Sequence, residues 1–129
     1  MTTTRRSLLS VALIAGAAVA APMTVLAQAA FPTKPIRLIV PFPPGGGTDI
    51  LSRRVAETLT DSTKWTVVPD NRAGAGGTIG ITEAAKAAPT GYDLVMGQKD
   101  NMVVGPWLYK NLPWDPTKDF ARIAHVAYT

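Results

Sequence analysis

The sequence predicts an α/β fold built on a parallel sheet, and three observations support this prediction. Two segments pass from a short apolar run through a glycine-rich turn into a helical pattern, the first starting at residue 36 and the second at residue 66. A third run typical of a strand follows at residues 92–96. Strands that alternate with helices in this way are typical of parallel sheets with right-handed crossovers.

The first unit organises the chain. A β-branched apolar strand is predicted over residues 36–40, and the turn after it reads Phe42-Pro43-Pro44-Gly45-Gly46-Gly47-Thr48-Asp49. Three consecutive glycines permit positive φ and a close approach of the backbone to a ligand. We expect Thr48 or Asp49 to cap the following helix, whose free N–H groups suit an anion. A tight structural turn is the alternative, but three glycines in a row favour ligand binding.

The helix of this first unit is predicted over residues 49–61. Leu51, Val55 and Leu59 recur at four-residue spacing and therefore define its expected buried face.

The second unit repeats the arrangement. A strand is predicted over residues 66–68, and a glycine turn, Asn71-Arg72-Ala73-Gly74-Ala75-Gly76-Gly77-Thr78-Ile79-Gly80, leads into a helix over residues 79–87. The carboxyl ends of parallel strands lie at one edge of a sheet, where α/β proteins bind ligands. We therefore expect both glycine turns at the same edge.

The last forty residues are less regular. A stop-and-turn signal, Ala88-Pro89-Thr90-Gly91, precedes the third strand, and residues 97–101 are polar. A short helix broken by Pro106 is predicted within residues 102–109, then an irregular loop over 112–116 and a last strand over 123–127. No helix follows that strand, so we expect the chain to be a fragment or a truncated reading frame. Ile123 and Val126 should then face solvent or a missing neighbour. We expect such a chain to unfold readily or to self-associate.

The N-terminus has the pattern of an export signal. Arg5 and Arg6 precede an Ala-rich apolar core at residues 8–21, which is too short to span a bilayer comfortably, and small residues stand at Ala27 and Ala29. We expect cleavage after Ala29 and delivery of residues 30–129 to the periplasm. The paired arginines resemble a twin-arginine signal, with a general secretory signal as the alternative.

Charge and composition exclude some classes of partner. The formal net charge is +4, and removal of the predicted signal lowers it by two because Arg5 and Arg6 leave with it. The remaining cations are scattered, so no nucleic-acid groove is expected. The absence of cysteine fits an exported protein that does not rely on disulfides.

Catalytic chemistry is not expected from these residues. Ser52 and Ser62 do not stand in a G-x-S-x-G turn. His125 is the only histidine and lies in a predicted strand, so a structural role is favoured over a catalytic one. The aspartates after residue 90 lack the spacing of a calcium loop. We therefore predict no enzymatic activity, no metal and no cofactor.

Phosphate binding is the competing interpretation of the glycine turns. The Walker pattern requires a lysine after its last glycine, whereas Thr48 follows Gly47. The dinucleotide pattern also fails, because Gly74, Gly76 and Gly80 are spaced one residue too widely. An extracytoplasmic phosphate- or nucleotide-binding α/β protein remains the alternative function.

The chain resembles the Bug family, the TctC-type substrate-binding proteins of tripartite tricarboxylate transporters. The resemblance starts with the first strand and turn, residues 34–49, and continues through the second turn, residues 71–80. Shorter matches follow at Pro89-Thr90-Gly91-Tyr92-Asp93-Leu94, Leu108-Tyr109, Leu112-Pro113-Trp114-Asp115-Pro116 and Asp119-Phe120. Thr90 stands where the family usually has Asp, and Trp114 where it usually has Tyr.

The resemblance implies a periplasmic receptor with two lobes of the type II-like binding-protein fold. Such a receptor closes on a small organic carboxylate and passes it to the membrane components of the transporter. The second lobe would lie beyond Thr129, so residues 30–129 would form the front part of the first lobe.

The site expected from the two turns surrounds one ligand carboxylate, partly through bound water as the resemblance implies. Backbone N–H groups are expected to donate to the anion, and threonine hydroxyls to donate to it or to cap the helices. Asp49 is expected to have a capping or orienting role. The predicted ligand-binding residues are Phe42, Gly46, Gly47, Thr48, Asp49, Ala75, Gly76, Gly77 and Thr78.

Overall fold

A computed structural model describes residues 30–128, and the predicted export signal lies outside them. The predicted α/β fold with a parallel sheet is confirmed: three parallel strands lie in the order β2-β1-β3. The strands are β1 Ile36–Val40, β2 Val67–Asn71 and β3 Asp93–Val95, and the α-helices are α1 Gly47–Thr63, α2 Thr78–Lys86 and α3 Gly105–Leu108. A 3-10 turn, Ala75–Gly77, precedes α2, and a π-helical turn, Asp100–Val104, precedes α3.

The central strand β1 has apolar side chains on both faces, as expected for a strand covered by a helix on each side. Ile36 and Leu38 join Ala56 of α1 in the core cluster. Ile39 points to the opposite face and is fully buried, as is Ile81 of α2.

Helix α1 is longer than predicted at both ends. It begins at Gly47 after Gly46, and neither Thr48 nor Asp49 acts as its N-cap, so that prediction was wrong. It ends at Thr63 and is capped by Lys64, whose φ of 63° is left-handed and whose N–H donates to the Thr60 carbonyl. The most buried positions on α1 are Asp49, Ser52 and Ala56, while Val55 and Leu59 of the predicted face are half-buried against the core.

Strand β2 extends three residues beyond its predicted end. It contains Pro69, which pairs in register with Leu38. Proline has no N–H to donate, but β2 lies at the edge of the three strands and can accommodate it. As a result, Asn71 ends the strand and stands level with Val40 of β1.

Two predictions for the C-terminal part were wrong. Pro106 does not break a helix, because the backbone is helical on both sides of it, in the π-helical turn Asp100–Val104 and in α3 as far as Leu108. Residues 120–128 have no regular structure, so the strand predicted at 123–127 is absent. Ile123 and Val126 are exposed, as predicted. His125 is also exposed and is not part of a strand; its ring centroid lies 4.3 Å from that of Tyr128, with the two ring planes tilted by 43°.

Within residues 30–128, no helix combines the length and the hydrophobicity that crossing a membrane requires.

Candidate anion-binding site

Both glycine turns lie at the same edge of the sheet, as the sequence predicted. They follow β1 and β2, which are parallel neighbours whose last residues, Val40 and Asn71, are register partners. The N–H of Arg72 donates to the Val40 carbonyl over 2.8 Å and continues the pairing into the second turn.

In the first turn, only Gly45 has a positive φ, at 84°. Gly46 is extended, and its carbonyl accepts the N–H of Ile50 over 3.0 Å as α1 begins. The N–H groups of Gly47, Thr48 and Asp49 come before that first helical bond, so the helical ladder leaves them without acceptors. A Cβ built on Gly47 would have no other atom within 4 Å, so this end of α1 is open.

Asp49 holds the first turn in place from inside the protein. Its side chain is buried, and Oδ2 accepts hydrogen bonds from the N–H of Gly45 at 2.9 Å and from Arg53 Nε at 3.0 Å. Its Oδ1 accepts a 2.9 Å bond from Asn71 Nδ2, which also donates to the Phe42 carbonyl at 3.0 Å.

The pKa of Asp49 is held well below its usual range by the bond from Arg53 first, then by those from Gly45 and Asn71. Its negative charge is therefore already balanced within the protein by the half-exposed guanidinium of Arg53. This arrangement agrees with the orienting role predicted for Asp49.

In the second turn, more of the backbone N–H groups donate to carbonyls of the same turn than the sequence predicted. The N–H of Gly77 donates to the Gly74 carbonyl at 2.9 Å, and the N–H of Thr78 donates to the Ala75 carbonyl. The Thr78 hydroxyl also donates to the Ala75 carbonyl, at 2.7 Å. Gly77 and Thr78 thus shape the turn, and the expectation that the Gly77 N–H is free for an anion was wrong.

Positive φ values show why this turn is rich in glycine. Gly74, Gly76 and Gly77 have φ of 136°, 63° and 92°, and Ala75 also has a positive φ, of 46°. An alanine in this conformation carries backbone strain, which is often found at functional sites.

The start of α2 packs directly on the end of β1. A Cβ on Gly80 would lie 2.8 Å from the Arg72 carbonyl oxygen and 3.0 Å from Pro41 Cα. A Cβ on Gly77 would lie 3.4 Å from the Pro41 carbonyl oxygen. These two glycines therefore allow the second turn to reach the first.

A third segment, which the sequence analysis did not include in the site, also lies at this edge. The Gln98 side chain, just after β3, donates from Nε2 to Thr48 Oγ1. Asn101 Oδ1 accepts the Gln98 N–H at 2.8 Å, and Asn101 Nδ2 lies 2.8 Å from the ideal Cβ position of Gly77. The sequence feature that could have indicated this segment is the polar stretch at residues 97–101, directly after the third parallel strand.

The predicted site residues differ in accessibility. Gly46, Gly47, Ala75 and Gly76 are exposed; Phe42, Thr48 and Thr78 are half-buried; Asp49 and Gly77 are buried. The two turns are joined by Asn71, which bonds both Asp49 and the Phe42 carbonyl. Gly76 also lies close to Tyr109, whose hydroxyl is 3.0 Å from the ideal Cβ position of that glycine.

A cavity of about 810 Å³ lies elsewhere, between β3, the end of α2 and residues 119–125. Gln98 lines it, but neither glycine turn does. Residues 30–128 also contain no group of three or more His, Cys, Asp or Glu side chains that could hold a metal ion.

Comparison with known proteins identifies the family. Residues 51–129 match the family described as "Tripartite tricarboxylate transporter family receptor". The chain belongs to this receptor family. Protein BugT from Bordetella pertussis strain Tohama I is 42% identical over 114 residues, which cover 88% of this chain and 34% of BugT.

Solved structures of similar proteins share the fold. The periplasmic binding protein BugD is 40% identical with a TM-score of 0.66, over 70% of this chain and 30% of BugD. R. palustris Rpa4515 with adipate is 33% identical with a TM-score of 0.65, over 68% of this chain and 29% of that protein. MatC from Rhodopseudomonas palustris with bound malate is 33% identical with a TM-score of 0.66, over 70% of this chain and 31% of MatC. This chain spans about a third of the length of these relatives.

Proposed function

We propose that this chain is a periplasmic solute receptor that captures a small organic carboxylate for a tripartite tricarboxylate-type transporter. The observation that carries the proposal is the open N-terminus of α1 beside the two glycine turns, where the buried carboxylate of Asp49 is already paired with Arg53. Relatives solved with adipate and with malate support a dicarboxylate as the ligand class.

Thr48 has the most direct role in this proposal. Its N–H lies in the open first turn of α1, and its hydroxyl accepts a hydrogen bond from Gln98 Nε2. A hydroxyl that accepts from an amide keeps its own proton available for another acceptor. Thr48 can therefore offer two donors to one carboxylate, next to the N–H of Gly47.

The second turn contributes mainly shape. Gly76 is exposed, and the space that a side chain would fill there is bounded by the Tyr109 hydroxyl, 3.0 Å from its ideal Cβ position. Phe42 and Ala75 are proposed to line the same space, while Gly77 and Thr78 hold the turn through their internal hydrogen bonds.

The number of donors sets an upper bound on the affinity of this part of the receptor. Hydrogen bonds to a charged group contribute roughly 1.5–3 kcal/mol each, so three of them give on the order of 4–9 kcal/mol before costs. Association costs at least about 4 kcal/mol, whereas micromolar affinity needs about 8 kcal/mol net. We infer that a second lobe supplies the remaining contacts in the full receptor.

Gly47→Val provides the test, measured by calorimetric titration of the full-length receptor with malate and adipate. The valine would stand in open space at the helix end, so it should abolish carboxylate binding while the circular dichroism spectrum stays unchanged. Gly77→Val should also abolish binding, but at φ 92° and against Asn101 it should disturb the fold as well.

Thr60→Val, an exposed change on the same helix, serves as the control and should bind like the wild type. Unchanged affinity in Gly47→Val would show that the first turn is merely structural. Binding of phosphate or nucleotides in place of carboxylates would favour the alternative function.

We also propose that the chain is exported and cleaved after Ala29. Mass spectrometry of periplasmic protein should find a mature N-terminus at Ala30. An intact Met1, or peptides that still contain Arg5 and Arg6, would contradict this proposal.

A further inference from the structure

Asn101 is a buried polar residue whose side-chain amino group makes no hydrogen bond within residues 30–128. It is 4% exposed and follows β3 in the segment that lies against both glycine turns. Its Oδ1 accepts the Gln98 N–H at 2.8 Å, but among residues 30–128 its Nδ2 has no hydrogen-bond partner. Buried amide donors are almost always paired, so an unpaired one calls for an acceptor from outside the fold.

The orientation of the Asn101 amide is fixed by chemistry. The Gln98 N–H needs an acceptor, and only the oxygen of the amide can supply one. The amino group is therefore directed away from Gln98 and toward the second turn, 2.8 Å from the ideal Cβ position of Gly77. The Pro41 carbonyl, at the end of β1, lies 3.4 Å from the same position.

This location is the meeting point of the three segments that follow β1, β2 and β3. Gly77 has no side chain there, and any residue larger than glycine would displace the Asn101 amide. The Gln98–Thr48 hydrogen bond ties the same segment to the open end of α1. Asn101 is thus linked through Gln98 to Thr48, whose donors are proposed to bind the ligand carboxylate.

We propose that Asn101 Nδ2 donates a hydrogen bond to a carboxylate oxygen of the ligand, which makes the segment after β3 a third part of the binding site. The inference rests on the proposed carboxylate-binding function. A neutral amide suits this role because it donates to the anion without adding a charge that the sheet edge would have to balance. The amino group is closed off from solvent, so segment 98–109 must shift slightly when the ligand enters.

Asn101→Asp separates this role from a structural one. The aspartate has the same shape and still offers an oxygen to the Gln98 N–H, but it replaces the amino donor by a negatively charged acceptor. We expect malate and adipate affinity, measured by calorimetric titration of the intact protein, to fall at least tenfold. Asn111→Asp makes the same charge change at an exposed position and should keep wild-type affinity.

A measurement on the wild type covers the case in which Asn101→Asp does not fold. In ¹⁵N NMR spectra, the side-chain amino signals of Asn101 should shift on saturation with malate, while those of Asn111 stay in place. Malate binding that leaves the Asn101 signals unmoved, or wild-type affinity in a folded Asn101→Asp, would overturn this inference alone. Failure of the wild type to bind any carboxylate would overturn the proposed function together with it.

Discussion

Asn71 and Asp49 join the two glycine turns through one hydrogen bond, from Asn71 Nδ2 to Asp49 Oδ1 over 2.9 Å. Asn71 is the last residue of β2, and Asp49 stands in the first turn of α1. Because Asp49 also accepts from Gly45, one carboxylate fixes both the shape of the first turn and its position relative to the second. Asp49, although acidic and next to the candidate anion site, is therefore a positioning group, and Arg53 balances its charge.

Acid should destabilise the protein in part through Asp49. Its pKa is depressed in the folded state, so the stability that it contributes is complete above its unfolded pKa of about 4 and is lost as the pH falls below that value. Asp49→Asn should therefore lower the urea midpoint at pH 7 and show a weaker further loss between pH 4 and pH 2 than the wild type.

Glu57→Gln is the control for this experiment, because Glu57 is an exposed carboxylate paired with Arg54. Asp115, whose pKa the Thr117 hydroxyl lowers to about 2, titrates in both proteins, so the difference between the two curves reports on Asp49. Identical pH profiles for wild type and Asp49→Asn would contradict the prediction.

Gly80→Ala should destabilise the fold by roughly 1–3 kcal/mol, because the new methyl group meets backbone atoms of Arg72 and Pro41 that cannot easily move. Gly47→Ala is the matched control at the open start of α1. It should be neutral or stabilising by up to about 1 kcal/mol, since alanine loses less backbone entropy than glycine. Urea unfolding measures both, and equal stability of the two variants would show that α2 can move away from β1.

Arg37 connects all three strands to α2. Its guanidinium contacts Asp93 at 2.8 Å, Glu83 at 2.5 Å and Asp70 at 3.4 Å. Partly exposed ion pairs contribute roughly 0.2–1 kcal/mol each, so Arg37→Met should cost about 1–2 kcal/mol in low salt.

The loss in Arg37→Met should decrease in 1 M salt, where these charges are screened. Arg54→Met breaks only the exposed pair with Glu57 and should change the free energy of unfolding much less. A salt-independent loss in Arg37→Met would indicate that packing, rather than charge, is its contribution.

Trp114 anchors the loop after α3. Its ring is buried, its Nε1 donates to Thr82 Oγ1 at 3.1 Å, and Phe120 packs edge-on at 5.9 Å. Trp114→Ala should destabilise by about 3–5 kcal/mol, whereas Trp107→Ala, at a side chain 88% exposed, should change stability by less than about 0.5 kcal/mol. Denaturant unfolding compares them, and equal losses would contradict the burial of Trp114.

Local chemistry explains how much of the fold could be predicted from sequence. Apolar runs before glycine turns located β1 and β2, and a turn signal followed by an apolar run located β3. The start of α2 was placed within one residue, because these signals lie within a few neighbouring residues. The end of β2 was missed because proline normally excludes a strand, and only the edge position of β2 makes Pro69 acceptable. The prediction of a strand at 123–127 was wrong for the opposite reason: the local pattern suits a strand, but an apolar run becomes a strand only when another strand pairs with it.

By itself, the sequence determined the parallel α/β fold, the receptor family and the edge of the sheet where the glycine turns lie. Only the tertiary structure decided which donors remain open there. The Gly77 N–H is used within its own turn, whereas Gln98 reaches Thr48 across fifty positions of the chain. Hydrogen bonds between segments so far apart in the chain depend on the relative positions of three strand ends in the folded protein. A pattern of neighbouring residues does not determine those positions.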